Sequence, residues 1–278
     1  MNWTILAYLA TALLYGALAA HFWRTRWTRP GEGQTQAAAH ASWERGAVVV
    51  PLLLHAALLY SAALAGPHLV LGVGIAVSII VWLSVLIYWL GSFVHRVEGV
   101  QALVMPIAAI ACLLPLMVPG AHALPNTDLF AFKAHLIISM LAYSFFTIAS
   151  LHALLMALLE KRLHGGRIGA APNALPPLLT MESILFRLIA TGFVLLTLSL
   201  ASGILFSEEL FGRPLSFNHK TVFGVLSWLI FGALLAGRAL YGWRGRTAMR
   251  WTFAGFLTLV LAYLGSRFVV EVLLQRSA

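Results

Sequence analysis

The 278-residue chain is 61% hydrophobic and only 10% charged, with a mean hydropathy of +0.90, whereas a soluble domain carries about 25% charged residues. Eight spans of roughly 20 residues, each long enough to cross a hydrocarbon core of ~30 Å, would use well over half of it, which excludes a separate catalytic domain outside the membrane. A net charge of +9 and a pI near 10.3 therefore read as the loop bias of a membrane protein, not as a nucleic-acid-binding surface.

The first apolar run, residues 3–23, has no charged leader, and Arg24, Arg26 and Arg29 follow it. A signal peptide has the reverse order, so the run reads as an uncleaved span with its N-terminus outside. The second run, 47–65, carries His55 eight residues in. The third is 69–90 and the fourth 102–118, the latter with Pro106 and Pro115. The fifth, 132–158, begins beside His135 and holds His152 near its end. A Gly/Pro/Ala-rich loop at 165–177 reads as an irregular excursion over the membrane surface. The sixth run is 184–206; the seventh, 221–241, follows His219 and Lys220; the eighth is 251–274. In lipid the backbone must satisfy its own hydrogen bonds, so each run is a helix. The expectation is an all-α polytopic protein: one integral membrane domain over residues 1–278, with eight transmembrane helices.

Orientation follows from Lys and Arg. With the N-terminus outside, the inner loops 24–46, 91–101, 159–183 and 242–250 hold 11 Lys or Arg residues. The outer segments hold three: Arg213, Lys220 and Arg276. That asymmetry places both termini outside. Trp3, Trp23, Trp89 and Trp251 lie near span ends, as interfacial anchors do. The basic turn GWRGR at 242–246 is explained by anionic headgroups alone. Arg267 and Glu271, spaced i,i+4, are expected to pair.

Chemistry is scarce. Asp128 and eight glutamates are the only acids, most near loops or span ends. No carboxylate pair stands mid-span, which argues against a carboxylate-relay proton pump. Cys112 is the single cysteine, and without CxxC or CxxCH the chain is neither a usual thiol oxidoreductase nor a covalent haem carrier.

Ten histidines remain. His21, His40, His68, His95, His122 and His164 sit in loops or at span edges, where an imidazole needs no special role. By helical rise, His55 lies roughly 12 Å and His152 roughly 9 Å from the inner ends of their helices, so the two rings stand at similar depth. His135 and His219 form a second candidate pair outside. His135 and His152 are about 25 Å apart along one helix, so any sites are separate. Neutral imidazole is a common haem ligand, and Lys133, Lys220 and Arg213 would receive propionates by charge-assisted hydrogen bonds. The bland alternatives are helix-to-helix packing for the histidines and snorkelling for the lysines. The residues also leave open a small-solute or ion transporter, which would need broken helices with polar midplane groups, and a b-type electron-transfer haem protein.

A resemblance narrows these options. The segments KAHLIISMLAY (133–143), ALLEKRL (157–163), LPPLLTMESILFR (175–187), GFVLLTLSLASGILF (192–206) and the stretch from GWRGRTAMRW to VEVLL (242–274) occur in one order. Together with the span count they resemble the CcsA-type cytochrome c assembly family of haem-handling membrane proteins, and its YpjD-like branch most. The resemblance implies non-covalent haem b, held or delivered for c-type cytochrome biogenesis in a bacterial inner membrane. It implies partners among other cytochrome c assembly proteins and an apocytochrome, besides the lipid bilayer. No enzymatic step is expected of the chain itself. By position, His135 matches the outer haem-ligand histidine, His55 a histidine within an early span, and Lys220 a lysine of the outer segment. Loop 207–220 carries no Trp where assembly members are tryptophan-rich, and VEVLLQRS stands where they have a second outer histidine.

Overall fold

The computed structural model describes residues 3–28, 34–66, 68–94, 99–118, 121–124, 127, 129–164, 177–205 and 219–262. Its helices are α1 (Trp3–Trp23), α2 (Gln34–Ala63), α3 (Val73–Gly91), α4 (Gln101–Ala111), α5 (Leu114–Met117), α6 (Phe130–His164), α7 (Leu178–Leu205), α8 (His219–Tyr241) and α9 (Gly245–Val260). Six are long and apolar enough to cross a membrane: α1, α2, α3, α6, α7 and α8. The chain is thus an all-α multi-pass membrane protein. The fourth expected span is a shorter apolar stretch, α4 followed by α5. Of the eighth, α9 supplies the first part; the remainder, with Arg267 and Glu271, lies outside the described residues.

Three short contacts sort the loops by side. Val70 and Leu71 pair antiparallel with Ala123 and His122, so the chain leaves for α3 and returns from α5 at the same end of the bundle. At the opposite end, Arg246 of α9 reaches Glu160 of α6, and Trp89 of α3 donates its indole N–H to the Arg45 carbonyl of α2. This is the alternation that successive crossings require.

The core is built by close backbone approach. Phe146 of α6 and Phe231 of α8 stack at 3.8 Å between centroids, and glycines make room on either side. A Cβ on Gly192 of α7 would stand 3.1 Å from the Phe146 ring, and one on Gly255 of α9 2.8 Å from Phe231. Four helices therefore meet on two rings. Serines tie the helices where packing alone has no direction: Ser144 Oγ of α6 donates to the Ile80 carbonyl of α3, and Ser227 Oγ of α8 to the Gly255 carbonyl. The α8–α9 turn is tight because Gly242 and Gly245 take φ of 65° and 53°, a region costly to residues with a Cβ.

Candidate functional site

His55 belongs to a polar ladder between α2 and α3. Trp89 Nε1 donates to the Arg45 carbonyl at 3.0 Å, Trp82 Nε1 to the Leu52 carbonyl at 2.9 Å, and His55 Nε2 lies 2.9 Å from Ser78 Oγ. Spacings of seven and three on α2, and of seven and four on α3, keep the three links on facing sides of antiparallel helices. His55 is fully buried, and Tyr15 of α1 packs edge-on against it at 5.8 Å between ring centroids. The Nδ1 of His55 and the hydroxyl of Tyr15 are buried without a hydrogen-bond partner among the described residues. Each such unmet group costs about 1–3 kcal/mol, so a polar ligand atom or water between helices would be stabilised there.

His152 has a different task. It is buried on α6, and its Nε2 lies 2.8 Å from the Met181 carbonyl in the first turn of α7. A carbonyl only accepts, so Nε2 carries the proton and the ring ties α6 to α7. α2 packs on α1 and α3, whereas α6 packs on α3, α7 and α9. His55 and His152 thus take their hydrogen bonds from different neighbours.

His135 stands on α6 at the end of the bundle marked by the two-stranded bridge. Its Nδ1 is 2.8 Å from Ser202 Oγ on α7. Ser202 Oγ also lies 3.0 Å from the Ser199 carbonyl, and where its hydroxyl hydrogen goes to that carbonyl it accepts from His135. The imidazole is then the Nδ1–H tautomer, with its lone pair on Nε2. Ser139 locks the same region: its Oγ donates to the His135 carbonyl at 2.7 Å and meets Ser199 Oγ at 2.7 Å. An Nδ1–H held by an oxygen, with Nε2 as the ligating atom, is the usual arrangement of a metal-binding histidine.

Lys133 is exposed in the first turn of α6, and Lys220 is half-buried in the first turn of α8. α7 and α8 are antiparallel and linked by the Trp228 indole donating to Thr197 Oγ1 at 2.9 Å, so both lysines start helices at the His135 end. His219 opens α8 there, with its side chain outside the described residues. Arg213 also lies outside them. Among the described residues no three His, Cys, Asp or Glu side chains cluster as a metal site.

The opposite end holds charge that sequence reading passed over. Glu44, buried, accepts from Arg26 at 2.6 Å and lies 3.0 Å from His21 Nε2. Arg26 belongs to a wider π-type turn, Arg24–Thr28, that continues α1. Glu182, also buried, accepts from Arg238 at 2.7 Å, Arg244 at 3.0 Å and the Gly245 backbone N–H at 3.2 Å. Both carboxylates are fixed members of helix junctions. Tyr15 and Ser202 were likewise passed over. For Ser202 a signal existed: Ser199 and Ser202 are spaced i,i+3 near the end of an otherwise apolar run.

Helices that cross a membrane, with a hydrogen-bonded imidazole at one rim and a buried imidazole among α1, α2 and α3, define a polytopic membrane protein. The chain matches the cytochrome c assembly protein family over residues 47–274, and it belongs to that family. It is 34% identical over 139 residues to the inner membrane protein YpjD of Escherichia coli strain K12, covering 50% of this chain and 52% of YpjD. It is 33% identical over 110 residues to the cytochrome c biogenesis protein CcsA of Synechocystis, covering 40% of this chain and 33% of that protein. A CcsA of Prochlorococcus marinus strain AS9601 is 37% identical over 89 residues, 32% of this chain and 29% of its own. The chain spans about half the length of YpjD and a third or less of these CcsA proteins. The family match begins within α2, so α1 and its Tyr15 precede it.

Proposed function

We propose that this protein handles haem in support of c-type cytochrome biogenesis, as a non-enzymatic multi-pass protein of a bacterial inner membrane. The observation that carries the reading is the His135–Ser202 pair, a hydrogen bond through Nδ1 that orients the imidazole, in a chain of the cytochrome c assembly family. A bound haem b would supply an iron able to accept an imidazole nitrogen. His135 would hold it at the outer rim, with His219 as a second candidate. Lys133 and Lys220 would draw carboxylates to that rim by charge-assisted hydrogen bonds. His55, with its unmet Nδ1, is the candidate contact in the membrane interior. His152 is assigned to packing, since its Nε2 is committed to the Met181 carbonyl. Attachment of haem would fall to partners, an apocytochrome supplying the thiols and other assembly proteins the platform.

Absorption spectra of the purified protein, with haem supplied during growth, test this. A Soret band is expected that His135→Ala abolishes or shifts. Ser202→Ala, which leaves the imidazole unoriented, should weaken haem affinity about 10–100-fold. His152→Ala should leave the spectrum unchanged. No Soret band after haem supplementation would overturn the reading, and a band indifferent to His135→Ala would remove the proposed ligand.

A further inference from the structure

At the end of the bundle opposite His135, the α8–α9 turn carries two arginines held in an unusual way. Arg244 donates its Nε to Glu182 Oε1 at 3.0 Å, and Arg246 donates its Nε to Glu160 Oε1 at 2.7 Å. Their side chains are nevertheless 54% and 65% exposed. Each guanidinium is thus anchored through the nitrogen nearest its stem, and among the described residues its two terminal nitrogens have no hydrogen-bond partner. Glu182 is itself buried and also bound by Arg238 and the Gly245 N–H, so the anchor for Arg244 is rigid. Arg250 lies one helical turn beyond Arg246 on the same face of α9, and Lys161 beside Glu160; both are exposed.

The surroundings set the depth. Leu240 and Tyr241, the last residues of α8, are 74% and 77% exposed, as lipid-facing residues are. Directly after them Trp243 packs on Trp251 at 5.0 Å and on Tyr241 at 6.5 Å between centroids. An aromatic layer between an apolar helix end and exposed cations is the pattern of a membrane interface.

We propose that Arg244 and Arg246, with Arg250 and Lys161 at the rim, bind the headgroup phosphate of an anionic phospholipid. Two oriented, planar guanidiniums match the paired non-bridging oxygens of a phosphodiester better than mobile lysines do, and the Trp243–Trp251 pair lies where the glycerol and upper acyl chain of the same lipid would run. The lipid would brace the junction of α6, α7, α8 and α9, because both anchoring carboxylates sit on helices other than the one bearing the arginines. This inference is independent of any role in haem handling.

Native mass spectrometry of the full chain released from detergent, with phosphatidylglycerol or phosphatidylcholine added, reads the site directly. Retention of one phosphatidylglycerol is expected, with phosphatidylcholine retained at least tenfold less. R244Q/R246Q should lose the preference. Should that double variant fail to remain monodisperse, R246Q alone, whose one ion pair among the described residues is with Glu160, carries the test with a severalfold loss. R246K keeps the charge without the Nε anchor and is expected to fall between R246Q and the unaltered protein. Equal retention of both lipids, or a preference that survives R246Q, would defeat the proposal. Displacement of the lipid by millimolar inorganic phosphate would reassign the arginines to a soluble anion and defeat the lipid assignment.

Discussion

Glu182 shows what a single carboxylate does in this protein. It accepts from two arginines and a backbone N–H while only 8% of its side chain is exposed. A buried carboxylate is tolerated when its oxygens are filled by charged donors, and deleting it strands those donors. Glu182→Ala is therefore expected to destabilise the protein by about 2–3 kcal/mol, a magnitude typical of hydrogen bonds to charged groups and below the fully buried limit because Arg238 and Arg244 can still reach water. A thermal shift measured in detergent, with Glu182→Gln falling between, checks this; an unchanged melting point would leave the junction without its assigned anchor. At this scale the sequence told the histidines from the background but not their partners. His55 and His135 stood out because an imidazole within an apolar run is rare. Ser202, which hydrogen-bonds His135, is an ordinary residue sixty-seven positions away, and no local pattern joins the two. Glu44 and Glu182 looked like loop-edge acids because the cations they bind come from other helices.

Helices were legible in their cores and illegible at their ends. Hydropathy placed the second span at 47–65, whereas α2 runs from Gln34 to Ala63: a helix continues past the point where its residues cease to be apolar, since polar residues such as Gln and Glu are good helix formers. The fourth run, read as 102–118, is instead α4 and α5 separated at Cys112 and Leu113, with Pro115 in the first turn of α5, where a missing N–H costs nothing. What no hydropathy window contains is the fit between helices. The stacked rings of Phe146 and Phe231 need bare backbone at Gly192 and Gly255. Gly255→Ala brings a methyl to 2.8 Å from the Phe231 ring and is expected to cost about 1–3 kcal/mol, as overpacking does. Combined with Phe231→Leu, the same substitution should cost measurably less than the sum of the two, since residues in contact are not additive. Additive effects in unfolding measurements would show that the ring and the glycine do not constrain each other.

At the scale of the whole molecule, the question is which end of the bundle faces which side. The structure divides the loops into two sets without reference to any membrane. The bridge between Val70–Leu71 and His122–Ala123 joins one set; the Glu160–Arg246 pair, the Glu182–Arg244 pair and the Trp89–Arg45 link join the other. The Lys and Arg count made the same division from sequence, because charge bias acts on each loop separately and needs no knowledge of packing. Only the count gives it a sign, setting the Glu182 end inside and the His135 end outside. That sign can be measured, because the one native thiol, Cys112, is buried and leaves introduced cysteines as the reactive ones. A membrane-impermeant maleimide applied to intact spheroplasts should label His68→Cys and Ala121→Cys, and should reach Lys161→Cys and Thr247→Cys only after the membrane is opened. The reverse pattern would put the His135 rim on the cytoplasmic side, where an apocytochrome exported across the membrane could not meet it, and the haem-handling proposal would lose its route even with every helix in place.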